Sequence, residues 1–167
     1  MTKRILLLAA PLALLAGCGD STDTVYTITT GSYDVSGGTA TAAFPADACN
    51  MAPLFATGQP PIDVTVSGTT AHFDLKGGQT QPQYFTTATI NNNAINHTAD
   101  ANFLTTVGTL CTFRTHVRVN GEITANDQMH LIARYDITVE PGATCTLADV
   151  DADTLPCTSE VDFLASK

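Results

Sequence analysis

Residues 113–139 read FRTHVRVNGEITANDQMHLIARYDITV. Phe113, Val117, Val119 and Ile123 recur at even spacing along the first half, and Met129, Leu131, Ala133, Tyr135, Ile137 and Val139 along the second. A period of two is the mark of a strand buried on one face. Asn120-Gly121 has the form of a tight hairpin turn. A turn there would set Val119 against Glu122 and Arg118 against Ile123, apolar opposite charged. A three-residue turn at Ala125-Asn126-Asp127 instead pairs Ile123 with Met129, Val119 with Ala133, Val117 with Tyr135, Thr115 with Ile137 and Phe113 with Val139. Nearly every inward position is then apolar. The segment is predicted to be one long hairpin, with Gly121 a bulge or tight-packing site inside its first strand.

The same parity rule registers a second hairpin. A turn at Gly68-Thr69 pairs Val66 with Ala71, Val64 with Phe73 and Ile62 with Leu75. Glycine at the first turn position suits a type II′ turn. Tyr84 to Ile90 and Ala94 to Thr98 form a further hairpin about Asn91-Asn92-Asn93. Strands are also expected at Val25–Thr29, Ser32–Val35, Ala40–Phe44 and Glu160–Leu164. No stretch beyond the N-terminus holds a helical period. The fold class is therefore all-β: a single antiparallel up-and-down barrel, or a β-sandwich.

At the N-terminus, Lys3 and Arg4 precede an apolar run from Ile5 to Leu15, which ends in Leu15-Ala16-Gly17-Cys18. The run is too short to span a bilayer, which takes about 20 apolar residues. This pattern resembles the signal peptide and lipobox of a bacterial lipoprotein. The resemblance implies cleavage before Cys18, two or three acyl chains at Cys18 and a membrane anchor outside the cytoplasm. It divides the chain into residues 1–17, a signal peptide; 18–24, the lipidated end and a short tether; and 25–167, the β domain. Gly19 is not the aspartate that favours inner-membrane retention in some bacteria, so the resemblance implies the cell envelope, with the outer membrane favoured where there is one.

Loss of residues 1–17 removes two of the seven basic residues, leaving five against 16 acids, a net charge of −11. Such a surface repels nucleic acid and anionic headgroups alike, so membrane attachment falls to the lipid. Cys49, Cys111, Cys145 and Cys157 then remain, an even set in an exported domain, and two disulfides are expected. Cys145–Cys157 with Cys49–Cys111 is the favoured pairing, because the first staples a local loop. The next alternative joins Cys111 to Cys145.

Three clusters merit weighing as sites. Asp149, Asp151, Asp153 and Glu160 stand at positions one, three, five and twelve of a stretch that resembles an EF-hand calcium loop. The resemblance implies a weak calcium site, with Kd about 10⁻⁴–10⁻³ M. Thr154 replaces the glycine of that loop, Pro156 replaces its apolar residue, and the plainer reading is a solvated acidic loop. The outward face of the long hairpin carries Arg114, His116, Arg118 and Arg134, a candidate patch for an anionic partner. There Arg118 faces Arg134, His116 faces Asp136 and His130 faces Glu122, and a ladder of exposed ion pairs is the plainer reading. The two histidine–acid pairs lie about 20 Å apart at ~3.3 Å per residue and cannot share a metal. Finally, an open barrel would offer a cavity lined by Phe73, Phe113, Val117 and Tyr135. An inward-pointing His97 would read as a core histidine with its own partner rather than as a ligand.

No nucleophile elbow, phosphate loop, zinc-protease helix or dinucleotide turn is present in the sequence. The expected function is a non-catalytic envelope lipoprotein that binds a protein, a polymer or a small apolar ligand. No cofactor is expected beyond the weak calcium. Gly31-Ser32-Tyr33 on an early strand resembles the Gly-x-Trp opening of lipocalin-like barrels, with tyrosine in place of tryptophan. That resemblance implies a carrier of a small apolar ligand.

Overall fold

The computed structural model describes residues 24–42, 47–75 and 85–167. Among the described residues nine strands form one sheet: β1 (Gly31–Ala40), β2 (Ile62–Ser67), β3 (Thr70–Asp74), β4 (Thr86–Asn91), β5 (Ala94–Ala99), β6 (Ala101–Val107), β7 (Cys111–Ala125), β8 (Gln128–Val139) and β9 (Cys157–Ser166). Each pairs antiparallel with its neighbours in the order β5-β4-β3-β2-β1-β9-β8-β7-β6. A further pairing of β5 with β7, Ala94 opposite Glu122 and Ile95 opposite Gly121, closes the ring. Strands β5 and β6 are one wall strand broken at Asp100, the first half beside the far end of β7 and the second beside its start. The sheet is thus an up-and-down barrel rather than a two-sheet sandwich.

Both hairpins keep the register set by their apolar alternation. In β7–β8, Ile123 lies opposite Met129, Val117 opposite Tyr135 and Phe113 opposite Val139. The chain turns at Asn126-Asp127, with Thr124 bulged and Asp127 at φ +53°. In β2–β3, Val64 faces Phe73 and Val66 faces Ala71 across Gly68 at φ +60°. Gly121 is a close-approach site, since a Cβ there would lie 2.2 Å from the His130 carbonyl oxygen. Alternation buries one residue in two, and Tyr33, Phe73, Phe163, Leu131, Met129 and Val119 fill the interior.

Three expected strands are arranged otherwise. Ser32–Val35 and Ala40 belong to one strand, β1, which bulges between Ser36 and Thr39; Phe44 lies outside the described residues. The bulge brings Gly38 against a 3₁₀ turn, Ala52–Phe55, where a Cβ would meet the Ala52 carbonyl oxygen at 2.5 Å. That contact seats Phe55 inside the barrel, stacked on Phe163 at 4.2 Å. Val25–Thr29 is not a strand. It crosses the barrel end and bonds to turn side chains instead of a neighbouring strand: Tyr26 N–H donates to Asn93 Oδ1 at 2.8 Å and Thr29 N–H to Asp127 Oδ1 at 2.8 Å. Ile28 beneath it is buried.

The disulfides are Cys49–Cys157 and Cys111–Cys145, which corrects the favoured pairing and matches the alternative. The cause is the path of the β8–β9 connection. It first runs along the start of β7, where Thr144 N–H donates to the Leu110 carbonyl at 2.9 Å, so Cys145 meets Cys111. It then makes a short helix, α1 (Leu147–Val150), and crosses to the loop after β1, where Asp153 N–H donates to the Ala48 carbonyl at 2.8 Å. Cys157, opening β9, therefore meets Cys49.

Candidate functional site at the barrel mouth

An up-and-down barrel sorts its connections onto two ends. The tight turns at 68–69, 92–93 and 126–127 share one end with residues 24–30 and Lys167. The other end carries the longer connections, both disulfides, the 3₁₀ turn and α1.

The first end is crossed by residues 24–30, and beside them lies an open concavity of about 270 Å³ lined by Val25, Ile28, Val66, Ile90 and Ile123. Lys167 Nζ donates to the Thr30 carbonyl at 2.9 Å and sits 5.0 Å from the centre of the Tyr33 ring. The Tyr33 hydroxyl lies 2.8 Å from Asp127 Oδ1 and 2.6 Å from the Thr29 carbonyl oxygen. Burial first, and then the hydrogen bond to the Asp127 carboxylate, push the Tyr33 pKa up to about 12. The reciprocal effect holds Asp127 below the usual carboxylate range, through hydrogen bonds from Tyr33 and then Thr29.

The second end opens into a pocket of about 230 Å³. Its walls are Phe103 of β6, Phe113 of β7, Tyr135 and Ile137 of β8, with Met51 and Val150 from the connections. Among the described residues no charged side chain lines it, and Thr105, Thr115 and Tyr135 supply its hydroxyls. Below it, Phe73, Val117 and Tyr135 enclose a void of about 10 Å³, room for about one water. The four residues expected to line a cavity are therefore divided: Phe73 and Val117 belong to the packed floor, Phe113 to the mouth and Tyr135 to both. Exposed Leu54, Val107, Leu110 and Leu147 surround this end. A wider concavity of about 560 Å³ beside Thr24–Tyr26 is an open surface groove lined by Asn91, Asn92 and Asn93.

Tyr135 departs from the rest of the mouth. It is 6 % exposed, and burial pushes its pKa up. Its ring packs on Phe55 at 6.2 Å, while its hydroxyl, which is not fully buried, has no hydrogen-bond partner among the described residues. Sequence parity places Tyr135 inward, but only the packing around it distinguishes a bonded hydroxyl from an unpaired one.

The outward face of β7–β8 keeps its expected register, with Arg118 opposite Arg134, His116 opposite Asp136 and His130 opposite Glu122. Its charges are paired. Arg134 spans Asp136 with two hydrogen bonds of 3.2 Å, and Arg118 lies 3.6 Å from both Asp136 and Asp100. Arg114 reaches Glu140 at 2.8 Å and Asn102 at 2.9 Å. His116 is 3.9 Å from Asp100; His97 stands opposite the buried Ala88, and its Nε2, itself buried, lies 2.7 Å from Asp100 Oδ1. Burial raises the Asp136 pKa, but Thr158, Arg134 and Arg118 outweigh it and hold the carboxyl below its ordinary value.

The four acids of the calcium-like stretch are not brought together. Asp149 caps α1, accepting from Thr146 N–H at 2.7 Å, a bond that lowers its pKa. Asp151 accepts from Asn50 at 3.2 Å. Glu160 lies in the barrel wall on β9, opposite Arg134, and accepts from Thr41 at 2.7 Å. Among the described residues no group of three His, Cys, Asp or Glu side chains is arranged to hold a metal ion.

Comparison with known proteins returns no matching family model, no matching curated protein and no matching solved structure.

Proposed function

We propose that this chain is a lipid-anchored, non-catalytic binding protein of the bacterial cell envelope, which takes an apolar ligand at its barrel mouth. One observation carries the reading: the apolar mouth lies at the barrel end opposite the one crossed by residues 24–30. Cys18 and Thr24 are six residue steps apart, with five residues between them, a reach of about 20 Å. An acyl anchor at Cys18 keeps the end crossed by residues 24–30 beside the bilayer and turns the mouth toward the surrounding space. The apolar character of the pocket and the paired charges of the arginine face favour the mouth over that face as the binding surface.

Anchoring is tested by fractionating cells that make the chain or its Cys18→Ser variant, with mass analysis of the N-terminal peptide. The expected result is membrane-bound protein whose first residue is acylated Cys18, and loss of acylation in the variant. Wild-type chain recovered unprocessed from the cytosol, with all its thiols reduced, would refute the anchor.

A further inference from the structure

We infer that the mouth takes a neutral molecule of about one ring, bearing a hydroxyl or carbonyl that hydrogen-bonds the Tyr135 hydroxyl. The inference deepens the binding reading and is independent of anchoring through Cys18.

Size sets the first limit. A pocket of about 230 Å³ lies between a cavity of about 150 Å³, which holds benzene, and the roughly 300–1,000 Å³ pockets of drug-sized ligands. The packed floor under Tyr135 excludes a long chain threaded down the barrel axis, since the void there holds about one water. Charge sets the second limit. An ionised group placed among Phe103, Phe113, Ile137 and Val150 loses its hydration and gains no countercharge from the described walls. Tyr135 sets the third. A hydroxyl on a residue 6 % exposed, facing a pocket and lacking a partner among the described residues, is a hydrogen-bonding group left for something outside the chain. A phenylalanine would fill the same ring site against Phe55 without that unpaired atom.

The test uses the full chain carrying Cys18→Ser, so that no acyl group competes, and three probes of one size: 4-ethylphenol, ethylbenzene and ionised 4-ethylbenzoate. Saturable binding of 4-ethylphenol is expected, with 4-ethylbenzoate weaker by at least about 100-fold. Tyr135→Phe is expected to weaken 4-ethylphenol by about 3–10-fold and leave ethylbenzene unchanged. The same variant should unfold at an unchanged or higher urea concentration, because it removes a hydroxyl that bonds to no described residue. Falling affinity with undiminished stability separates ligand recognition from a structural role. Met51→Trp, which fills the mouth, should abolish binding of both neutral probes, and unchanged binding in that variant would overturn the site. Equal affinity of 4-ethylphenol for the wild type and Tyr135→Phe would overturn the hydroxyl's role while leaving an apolar mouth. Failure of both neutral probes to bind the folded chain would remove the mouth as well.

Discussion

Gly121 marks the point where the ring closes. It pairs with Leu131 on one side and Ile95 on the other, and the His130 carbonyl oxygen occupies the space a Cβ would need. Gly121→Ala is expected to cost about 3 kcal/mol, read as a fall in the urea midpoint, because the obstacle is backbone rather than a movable side chain. Asp127 makes a different residue-scale prediction. Its folded pKa is depressed by Tyr33 and Thr29, so its contribution is present above the unfolded value, about 3.9, and is lost as pH falls through the folded value. Asp127→Asn should therefore be less stable than wild type at pH 7, and the gap should close as unfolding is followed from pH 5 downward. A gap that persists undiminished to pH 2 would show that the carboxylate's charge is not what counts. At this scale the sequence was partly legible. Gly121 stands out because it interrupts an apolar row, whereas Asp127 is an ordinary turn residue until Tyr33 and Thr29 are seen against it.

At the scale of elements, residues 24–30 are the instructive case. Val25-Tyr26-Thr27-Ile28-Thr29 has the composition of a strand, yet its backbone donors reach Asn93, Asn126 and Asp127 side chains on two hairpin turns. A strand and an end-crossing segment both alternate apolar and polar residues, so periodicity does not separate them. What separates them is whether a free sheet edge is available, and closure of the ring removes it. Ile28 is the buried residue of this segment. Ile28→Ala is expected to lower stability by about 2 kcal/mol and to raise hydrogen exchange at Tyr26 and Thr29 before the barrel strands respond. Uniform exchange across the molecule would mean that the segment unfolds only with the whole. The two long hairpins, by contrast, were readable in detail. A one-residue slip would move every apolar side chain of a strand outward, so burial on one face admits a single register.

For the whole molecule, the disulfides tie loops of unequal span. Cys49–Cys157 joins residues 108 apart and Cys111–Cys145 residues 34 apart. Loop-closure entropy gives about 5 and about 4 kcal/mol respectively. Cys49→Ser with Cys157→Ser should therefore lower the unfolding free energy more than Cys111→Ser with Cys145→Ser, in denaturation of the two double variants side by side. The reverse order would point to strain or residual unfolded structure as the larger influence. Both bridges sit at the mouth, so either loss should also weaken any ligand held between Met51 and Val150.

The division between sequence and tertiary structure follows from the range of the forces involved. Alternation of apolar residues, turn chemistry and an even set of cysteines act over a few neighbours or through counts alone. From the chain they already dictate an all-β domain, the registers of two hairpins and a pair of bridges. Which cysteines meet, whether 24–30 pairs or crosses, how far the interior fills and which hydroxyl is left facing a pocket depend on where distant segments arrive once the sheet has closed. Those arrivals are set by packing between residues tens of positions apart, and no local pattern encodes them.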